Sequence, residues 1–560
     1  MTGLLRSASR QAGGTDPAER LAEPVGDSPP AGDDEAFRSE VGGLARGGLL
    51  NLGSSMASQL AMLALTIVLA RVLGRDTAGV YFQSFAFLSL LSLLSLAGFR
   101  GALTRFVAMH LANDDVPRMV GAVRLALCIS VPASVALAGG LYAAAPWLAR
   151  SAFDEPRLEV ALRVAAVALP AVSLQEAALS ATQGFRTMKA FALVGLLLEP
   201  VLRLVLSGAL LAAGFGLRGT LVALTISSWI GAAAAVTWLH RLVGRAREGC
   251  TAAGPAVVVD AGPFLRYSVV AWVASLASTG LIWADTIILG LMVTSGAVGV
   301  YNASARLVTL AVFVVNPINA AFAPRIANLF ARGELGLLRE IYTVATNWIV
   351  RLSLPAFAIL LVLPGSLLGL FFGGAYAAGA TVVAILALGQ LCNAATGPCG
   401  MVINMSGRNR LNLIDNLMVL GLNIVLNVVL IPIWGISGAA LAWAISLGAV
   451  NLLRVLQVRI IVRALPFDLA QAKAFLAAIG AGAAALVTSR WLLDGPTGAL
   501  AGIAAAGAVY VALVIALGLP DSDRMIAGLL TQRGPGRRAG PASMATAPAP
   551  VLTTTGEPQP

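Results

Sequence analysis

Apolar runs of 18 or more residues, separated by Gly, Pro and small clusters of charge, follow one another from about residue 48 to residue 519. A run of that length crosses the hydrocarbon core of a bilayer as one α-helix. The short alternating segments that mark a membrane β-barrel do not form this pattern. With Gly, Pro and charge read as breaks, the chain predicts fourteen spans, at about 48–70, 78–99, 120–144, 158–182, 190–213, 219–240, 268–292, 297–322, 343–371, 377–404, 411–432, 436–461, 471–491 and 497–519. Residues 1–45 and 520–560 are rich in Pro, Gly, Ala and charge, lack an apolar run or secretory-signal core, and are expected to be disordered cytoplasmic tails.

The apolar pattern also repeats. Leu73-Gly74 followed by Ala78-Gly79-Val80-Tyr81 recurs as Leu289-Gly290 followed by Ala297-Val298-Gly299-Val300-Tyr301, with Tyr81 and Tyr301 220 positions apart. Gly216, Gly219, Ala223, Ile226 and Ser227 recur 219 positions later as Gly435, Gly438, Ala442, Ile445 and Ser446, and Arg105 matches Arg325. Three blocks recurring 219 or 220 positions apart point to an internal duplication. Each copy holds six spans, an even number, so both copies enter the membrane from the same side and are related by an axis along its normal. The expected fold class is all-α polytopic, with two six-helix lobes and two extra C-terminal helices. Its divisions are an N-terminal tail 1–45, an N-lobe 46–242, an inter-lobe linker 243–265, a C-lobe 266–464, a further helix pair 465–519 and a C-terminal tail 520–560.

Composition narrows the function. At 560 residues, 58% hydrophobic, 12% charged and a mean hydropathy of +0.84, the chain lies outside the range of soluble globular proteins. With the N-terminus in the cytoplasm, seventeen Arg and Lys residues fall on cytoplasmic connections and six on the opposite ones. The positive-inside rule therefore places both termini in the cytoplasm, in the cytoplasmic membrane. The net charge of +11 follows from that topology, and no nucleic-acid partner is expected. Lys189 and Lys473 are the only lysines and neither follows a Gly, so the chain has no Walker A phosphate loop and no ATP site of that type. His110 and His240 are too isolated for a metal site, and Cys128, Cys250, Cys392 and Cys399 show no paired framework. The connections at 100–119 and 325–342 mix Arg, acidic and apolar residues, as short amphipathic helices on the inner membrane surface would.

Charges within the spans carry the candidate chemistry, because an ionisable group in lipid needs a cavity or a partner. Asp285 and Arg306 are symmetrical about the turn at 295–296, which puts them at equal depth in a hairpin, roughly 15 Å from the outer surface at 1.5 Å per residue. They are either a neutralising ion pair or a switch in which Asp285 takes up H⁺ or Na⁺ and releases Arg306 to an anion. Glu199 and Arg203, four apart, form a local ion pair or serve transport. Glu176 and Glu199 flank one turn at similar depth and could share a proton. Pro200 beside Glu199 fits a helix that bends. Asn412, Asn416, Asn423 and Asn427 share one face of a helix, where they line a sugar-bearing cavity or bond to other helices.

These features resemble the MATE-like (MOP) superfamily and, within it, the polysaccharide-biosynthesis or Wzx-type oligosaccharide flippases. The resemblance rests on Leu69-Ala70-Arg71-Val72-Leu73-Gly74 before Gly79-Val80-Tyr81, on Asp285 through Leu289-Gly290 to Gly299-Val300-Tyr301, and on Pro324-Arg325. Asn404-Met405-Ser406-Gly407-Arg408, Leu430-Ile431-Pro432, Gly435 and Gly438-Ala439-Ala440 complete it. It implies a non-enzymatic transporter with a central cavity that opens alternately to each side, carrying a polyprenyl-pyrophosphate-linked oligosaccharide. A polysaccharide polymerase or glycosyltransferases would be its partners, and H⁺ or Na⁺ the coupling ion in place of any cofactor. Candidate cavity residues are Arg71, Arg203, Arg306, Arg351, Asn423 and Asn427; candidate coupling residues are Asp285, Glu176 and Glu199.

Three alternatives stay open. Lipid II flippases share the fourteen-span layout but carry Arg within the first span, where this chain has Ser54, Ser55, Ser58 and Gln59. Multidrug exporters usually have twelve spans and a mostly neutral pocket. Membrane glycosyltransferases, polymerases and ligases need a large outer loop, whereas the longest outer connection here is about Ala145 to Arg157.

Overall fold

The computed structural model describes residues 31–248, 260–313, 315–492 and 495–518. Most of both expected tails, Cys250 and much of the expected linker lie outside the described residues. The described residues form sixteen α-helices: α1 Ala31–Leu96, α2 Phe99–Ala112, α3 Val116–Trp147, α4 Arg157–Gly184, α5 Glu199–Ala212, α6 Gly216–Glu248, α7 Ala261–Met292 and α8 Ser295–Ala311. There follow α9 Val315–Ala331, α10 Leu335–Val362, α11 Pro364–Phe372, α12 Ala380–Ala395, α13 Cys399–Met405, α14 Asn409–Val462, α15 Leu469–Val487 and α16 Gly495–Ala516. The fold is all-helical and multi-pass.

Among the described residues, eleven helical stretches are long and apolar enough to cross a membrane, against fourteen expected spans. Glycine accounts for part of the difference. Helix α1 carries two expected spans through a kink at Gly74 (φ 74°), and α14 carries two more through a kink at Gly435 (φ 56°). The left-handed conformation that turns the chain there suits Gly, which has no Cβ to clash. Gly216, the counterpart of Gly435 in the first copy, has φ 53°, so the duplicated block folds into the same corner twice. The expected span at 297–322 is instead broken between α8 and α9.

The described residues divide into two compact units. The first comprises the described residues of 31–73 and 80–283, and the second those of 74–79 and 284–518. In the first, α4 and α6 pack along each other. Gly219, Ala223, Ser227, Gly231 and Ala235 are all buried on α6. Spaced by four, they form a stripe that lets neighbouring backbones approach without a hydrophobic drive between helices. Three of them belong to the repeated block, which explains their recurrence as packing. The short helix α2 buries Phe99, Ala102, Leu103, Phe106, Val107 and His110, an i, i+3, i+4 face, and so forms the amphipathic helix expected near 100. Phe99 and Phe106 meet Phe264 of α7 at ring distances of 5.5 and 5.3 Å, and Arg105 lies 4.7 Å over the Tyr267 ring.

In the second unit, the turn Gly74–Gly79 lies against the start of α8. A Cβ on Gly79 would sit 1.7 Å from the Ser295 carbonyl oxygen, and one on Gly299 would sit 2.2 Å from that of Arg75. Positions 75 and 79 are 220 residues from 295 and 299, so the contact is reciprocal between the two copies of the repeat. The glycine of each Gly-Val-Tyr block is therefore fixed by the other copy's backbone. Helices α15 and α16 pack against each other and on α10, where the Tyr510 hydroxyl donates to the Arg351 carbonyl (2.8 Å).

Overpacking predicts that Gly79→Val and Gly299→Val each lower stability by about 1–3 kcal/mol, measured by thermal unfolding of purified protein. Gly139→Ala in α3, where an added Cβ meets nothing within 4 Å, should be neutral or stabilising.

Candidate functional site

Each unit places a polar site among its membrane-spanning helices. The first is a cavity of about 300 Å³ lined by side chains of α1, α2, α4, α5 and α7, among them Phe85, Arg100, Glu176, Glu199, Arg203 and Trp283. Its charges come in pairs. Arg100 follows the left-handed turn Ala97-Gly98 at the start of α2 and forms an ion pair with Glu176 of α4, 76 residues away. Arg203 forms an ion pair with Glu199 one turn before it on α5. Glu199 opens α5 immediately after a π-helical stretch, Phe191–Leu198, with Pro200 in the first turn. The backbone stays helical from one stretch into the next, so Pro200 lies inside a continuous helical run and has no N–H to give to it.

The inner pair is nearly dry: the side chains of Arg203 and Glu199 are 6% and 16% exposed. Buried charges of this kind hold only while both are present, and deleting one partner costs about 3–5 kcal/mol. Other groups fix each member. Gln175 of α4 donates from Nε2 to the second oxygen of Glu199 (2.8 Å), and the Arg203 guanidinium lies 5.2 Å over the Phe85 ring. Phe85 in turn meets Trp283 edge to face at 5.3 Å. The Arg203 Nε is buried without a hydrogen-bond partner. Two arginines and two carboxylates leave the cavity formally neutral, whereas the charged cavity candidates named from the resemblance are all arginines.

The second site centres on Asp285, 2% exposed near the end of α7. Its two oxygens accept from the Tyr301 hydroxyl (2.6 Å) and from Asn427 Nδ2 (2.7 Å), and Asn427 Nδ2 also reaches Asn423 Oδ1 (3.0 Å). Equal-depth reasoning places Arg306 opposite Asp285, but the chain turns earlier than the residues at 295–296. Thr294 caps α8, its hydroxyl accepting from the Ala297 N–H (3.4 Å). A turn displaced by two residues moves the level position by four, one helical turn, from Arg306 to the neighbourhood of Tyr301. Thr286, next to Asp285, accordingly donates to Asn302 (3.2 Å). The tyrosine of the second Gly-Val-Tyr block thus holds the buried acid.

The expected asparagine stripe divides between two partners. Asn423 and Asn427 turn to Asp285, whereas Asn412 and Asn416 accept from Arg454 (3.0 and 2.7 Å). Arg454 also lies 3.8 Å from Asp415, whose other oxygen accepts from Gln457 (2.9 Å). Sequence reasoning missed this cluster, although Asp415 and Arg454 flank the Gly435 kink almost symmetrically on the two legs of α14, and it missed Gln175, which neighbours Glu176 across the same turn from Glu199; Phe85 and Trp283 join the site from distant parts of the chain. Arg71 is exposed on α1, Arg306 is half-buried on α8, and Arg351 is half-buried on α10. No group of three or more His, Cys, Asp or Glu suited to a metal occurs among the described residues.

The sequence profile of a family described as "Polysaccharide biosynthesis protein" matches residues 44–330, just over half of the chain and all of the first cavity's lining. The chain belongs to the polysaccharide biosynthesis protein family. Two relatives of this family member come from Haloferax volcanii. "Probable flippase AglR" is 30% identical over 200 residues, 35% of this chain and 41% of the relative. "Probable low-salt glycan biosynthesis flippase Agl15" is 26% identical over 192 residues, 34% and 40% of the two chains. The match thus spans about two fifths of these relatives' length. Among solved structures, the lipid II flippase MurJ in an inward closed conformation superposes with a TM-score of 0.66 at 13% identity, covering 86% of this chain and 100% of that one. An inward-facing multidrug resistance MATE family transporter of the MOP superfamily gives a TM-score of 0.58 at 16% identity, covering 74% and 98%. At such identities the likeness establishes the MATE/MOP fold alone.

In this family member, Tyr301→Phe strands one oxygen of a buried carboxylate and should cost about 1–3 kcal/mol in thermal unfolding. Added to Asp285→Asn, the same change should cost much less, giving a coupling of about 0.5–3 kcal/mol in the double-mutant cycle. Strict additivity would show that the bond contributes nothing.

Proposed function

We propose that the chain is a flippase that moves a polyprenyl-pyrophosphate-linked oligosaccharide from the inner to the outer leaflet of the cytoplasmic membrane, for polysaccharide assembly. The observation that carries this reading is the first cavity: a buried arginine with an idle Nε, a second arginine, and a carboxylate partner for each. Guanidinium groups bind phosphate oxygens through paired, charge-assisted hydrogen bonds. A phosphate entering here replaces one oxyanion on Arg203 or Arg100 by another, so neither arginine passes through an unpaired state. Phe85 and Trp283 provide apolar faces beside the charges.

Alternating access supplies the movement, as in other transporters built from parallel repeats. Both termini lie in the cytoplasm on the strength of the asymmetric Arg and Lys distribution. Asp285, enclosed by Tyr301, Asn423 and Asn427, is the candidate site for a coupling proton or Na⁺, while Glu176 and Glu199 act as counter-charges of the cargo arginines. The protein catalyses no covalent step in this reading. Glycosyltransferases supply the cargo, and a polymerase or transferase consumes it outside.

Cells lacking the protein should accumulate the lipid-linked oligosaccharide and lose surface glycan. Restoration by Arg203→Ala should fall short of the wild type by about tenfold to a hundredfold, the effect of losing a charge-assisted contact of about 1.5–3 kcal/mol. Full restoration by Arg203→Ala at wild-type protein levels would overturn the reading.

A further inference from the structure

We infer that the crevice between the two legs of α14 binds a neutral lipid alcohol, whose hydroxyl bridges Arg454 and Asp415 while its hydrocarbon chain lies along the apolar walls. The site belongs wholly to the second unit and does not depend on the flippase reading.

The kink at Gly435 turns α14 back along itself, and the legs are tied away from the kink by Arg454 to Asn412 and Asn416 and by Gln457 to Asp415. On the kink side of these ties lies a cavity of about 230 Å³ lined by α14 alone. Asp415, Val419 and Leu422 line it from the first leg, and Ser446, Val450 and Leu453 from the second, each set at i, i+4 and i+7 on one helix face. Leu422 is exposed, so the crevice opens along one side. Asp415 and Ser446 are the polar side chains of this lining, and both are buried with an oxygen that has no hydrogen-bond partner among the described residues.

The idle oxygen of Asp415 faces an idle donor. Its Oδ1 accepts from Gln457, whereas Oδ2 accepts nothing; Arg454 spends Nη2 on Asn412 and Asn416, whereas its buried Nε donates to nothing. Nε and Oδ2 lie 3.8 Å apart, too far for a direct hydrogen bond. A hydroxyl closes that gap, because its oxygen accepts from Nε–H while its proton goes to Oδ2. Leaving the two atoms idle in a buried position is costly, and the bridge removes that cost.

Charge selects the class of ligand. Arg454 and Asp415 together are formally neutral, so an ammonium would meet the guanidinium and an anion the carboxylate at short range, whereas a neutral hydroxyl meets neither penalty. The remaining walls are apolar, which requires an apolar body. Asp415 is six residues into α14, about 9 Å from its first residue, and the apolar lining continues from there towards Gly435. A lipid alcohol has the same order, with its hydroxyl near the membrane surface and its chain deeper. A furrow between two helices takes one chain along its length.

The test is equilibrium binding of tritiated farnesol to the full-length protein in phosphatidylcholine nanodiscs, with empty nanodiscs subtracted. The expected result is saturable binding of about one farnesol per chain, displaced by unlabelled hexadecanol. Farnesyl methyl ether, which keeps the chain and lacks the donor, should compete about tenfold to a hundredfold more weakly. Farnesyl phosphate should also compete more weakly than farnesol. Either order of preference between the two alcohols supports the site and identifies its chain. Ala449→Leu enlarges an exposed side chain of the lining without touching the ion pair, and should abolish binding. The double variant Asp415→Leu/Arg454→Met removes both charges together and leaves neither unpaired, so in it farnesol and its methyl ether should compete equally. Absence of saturable binding by the wild type would mean that water alone bridges the pair and would overturn the inference. Equal competition by farnesol and its ether in the wild type, tighter binding of farnesyl phosphate, or full binding by Ala449→Leu would overturn it as well, and each would leave the flippase reading intact.

Discussion

A charge taken out of water into a helical bundle must find an opposite charge or a set of hydrogen bonds, and the polar interior of this protein follows from that constraint. Arg203 has Glu199, Arg100 has Glu176, Asp285 has Tyr301 and Asn427, and Arg454 has Asn412, Asn416 and Asp415. Where charge appears, it fixes which helices must meet: α2 with α4, α5 with α4 through Gln175, and α7 with both α8 and α14.

The two units meet the constraint differently. Asp285 closes its bonds on neutral donors, so it can change its charge or accept a cation without breaking an ion pair. Glu199 and Glu176 each hold an arginine, so they respond to anything that competes for a guanidinium. Neutral donors around one acid and ionic partners around two others give one site suited to a cation and another suited to an anion. The copies of the ancestral repeat have diverged here: the position 220 residues before Asp285 is Leu65, whereas Tyr81 and Tyr301 are both retained and both buried.

Much of the fold is legible in the chain. The apolar runs give the helices, and the repeated Gly-Val-Tyr and Gly-x-x-Gly blocks give the duplication. The structure adds their physical cause, since Gly79 and Gly299 face each other's copies at carbonyl distance and Gly216 and Gly435 turn the same corner. Helix boundaries are less legible: spacing about 295–296 sets Asp285 opposite Arg306, the chain turns about two residues earlier, and a helix converts that shift into a whole turn. The ion pair four residues apart on α5 was readable from local spacing. The pairing of Arg100 with Glu176 was not, because no local signal encodes a contact across 76 positions. Gln175 lies only 24 positions from Glu199, across the turn that already sets Glu176 level with Glu199, but an uncharged side chain gives a reading built on charges no reason to include it.

In the proposed flippase, the paired arginines of the first cavity recognise the phosphates of a lipid-linked glycan. The most direct measurement is the rate at which purified protein in liposomes moves a polyprenyl-pyrophosphate-linked oligosaccharide between leaflets, compared with the same glycan on a neutral, phosphate-free polyprenyl carrier. The account predicts movement of the pyrophosphate-linked cargo and little or none of the neutral one. Equal rates for both would contradict it.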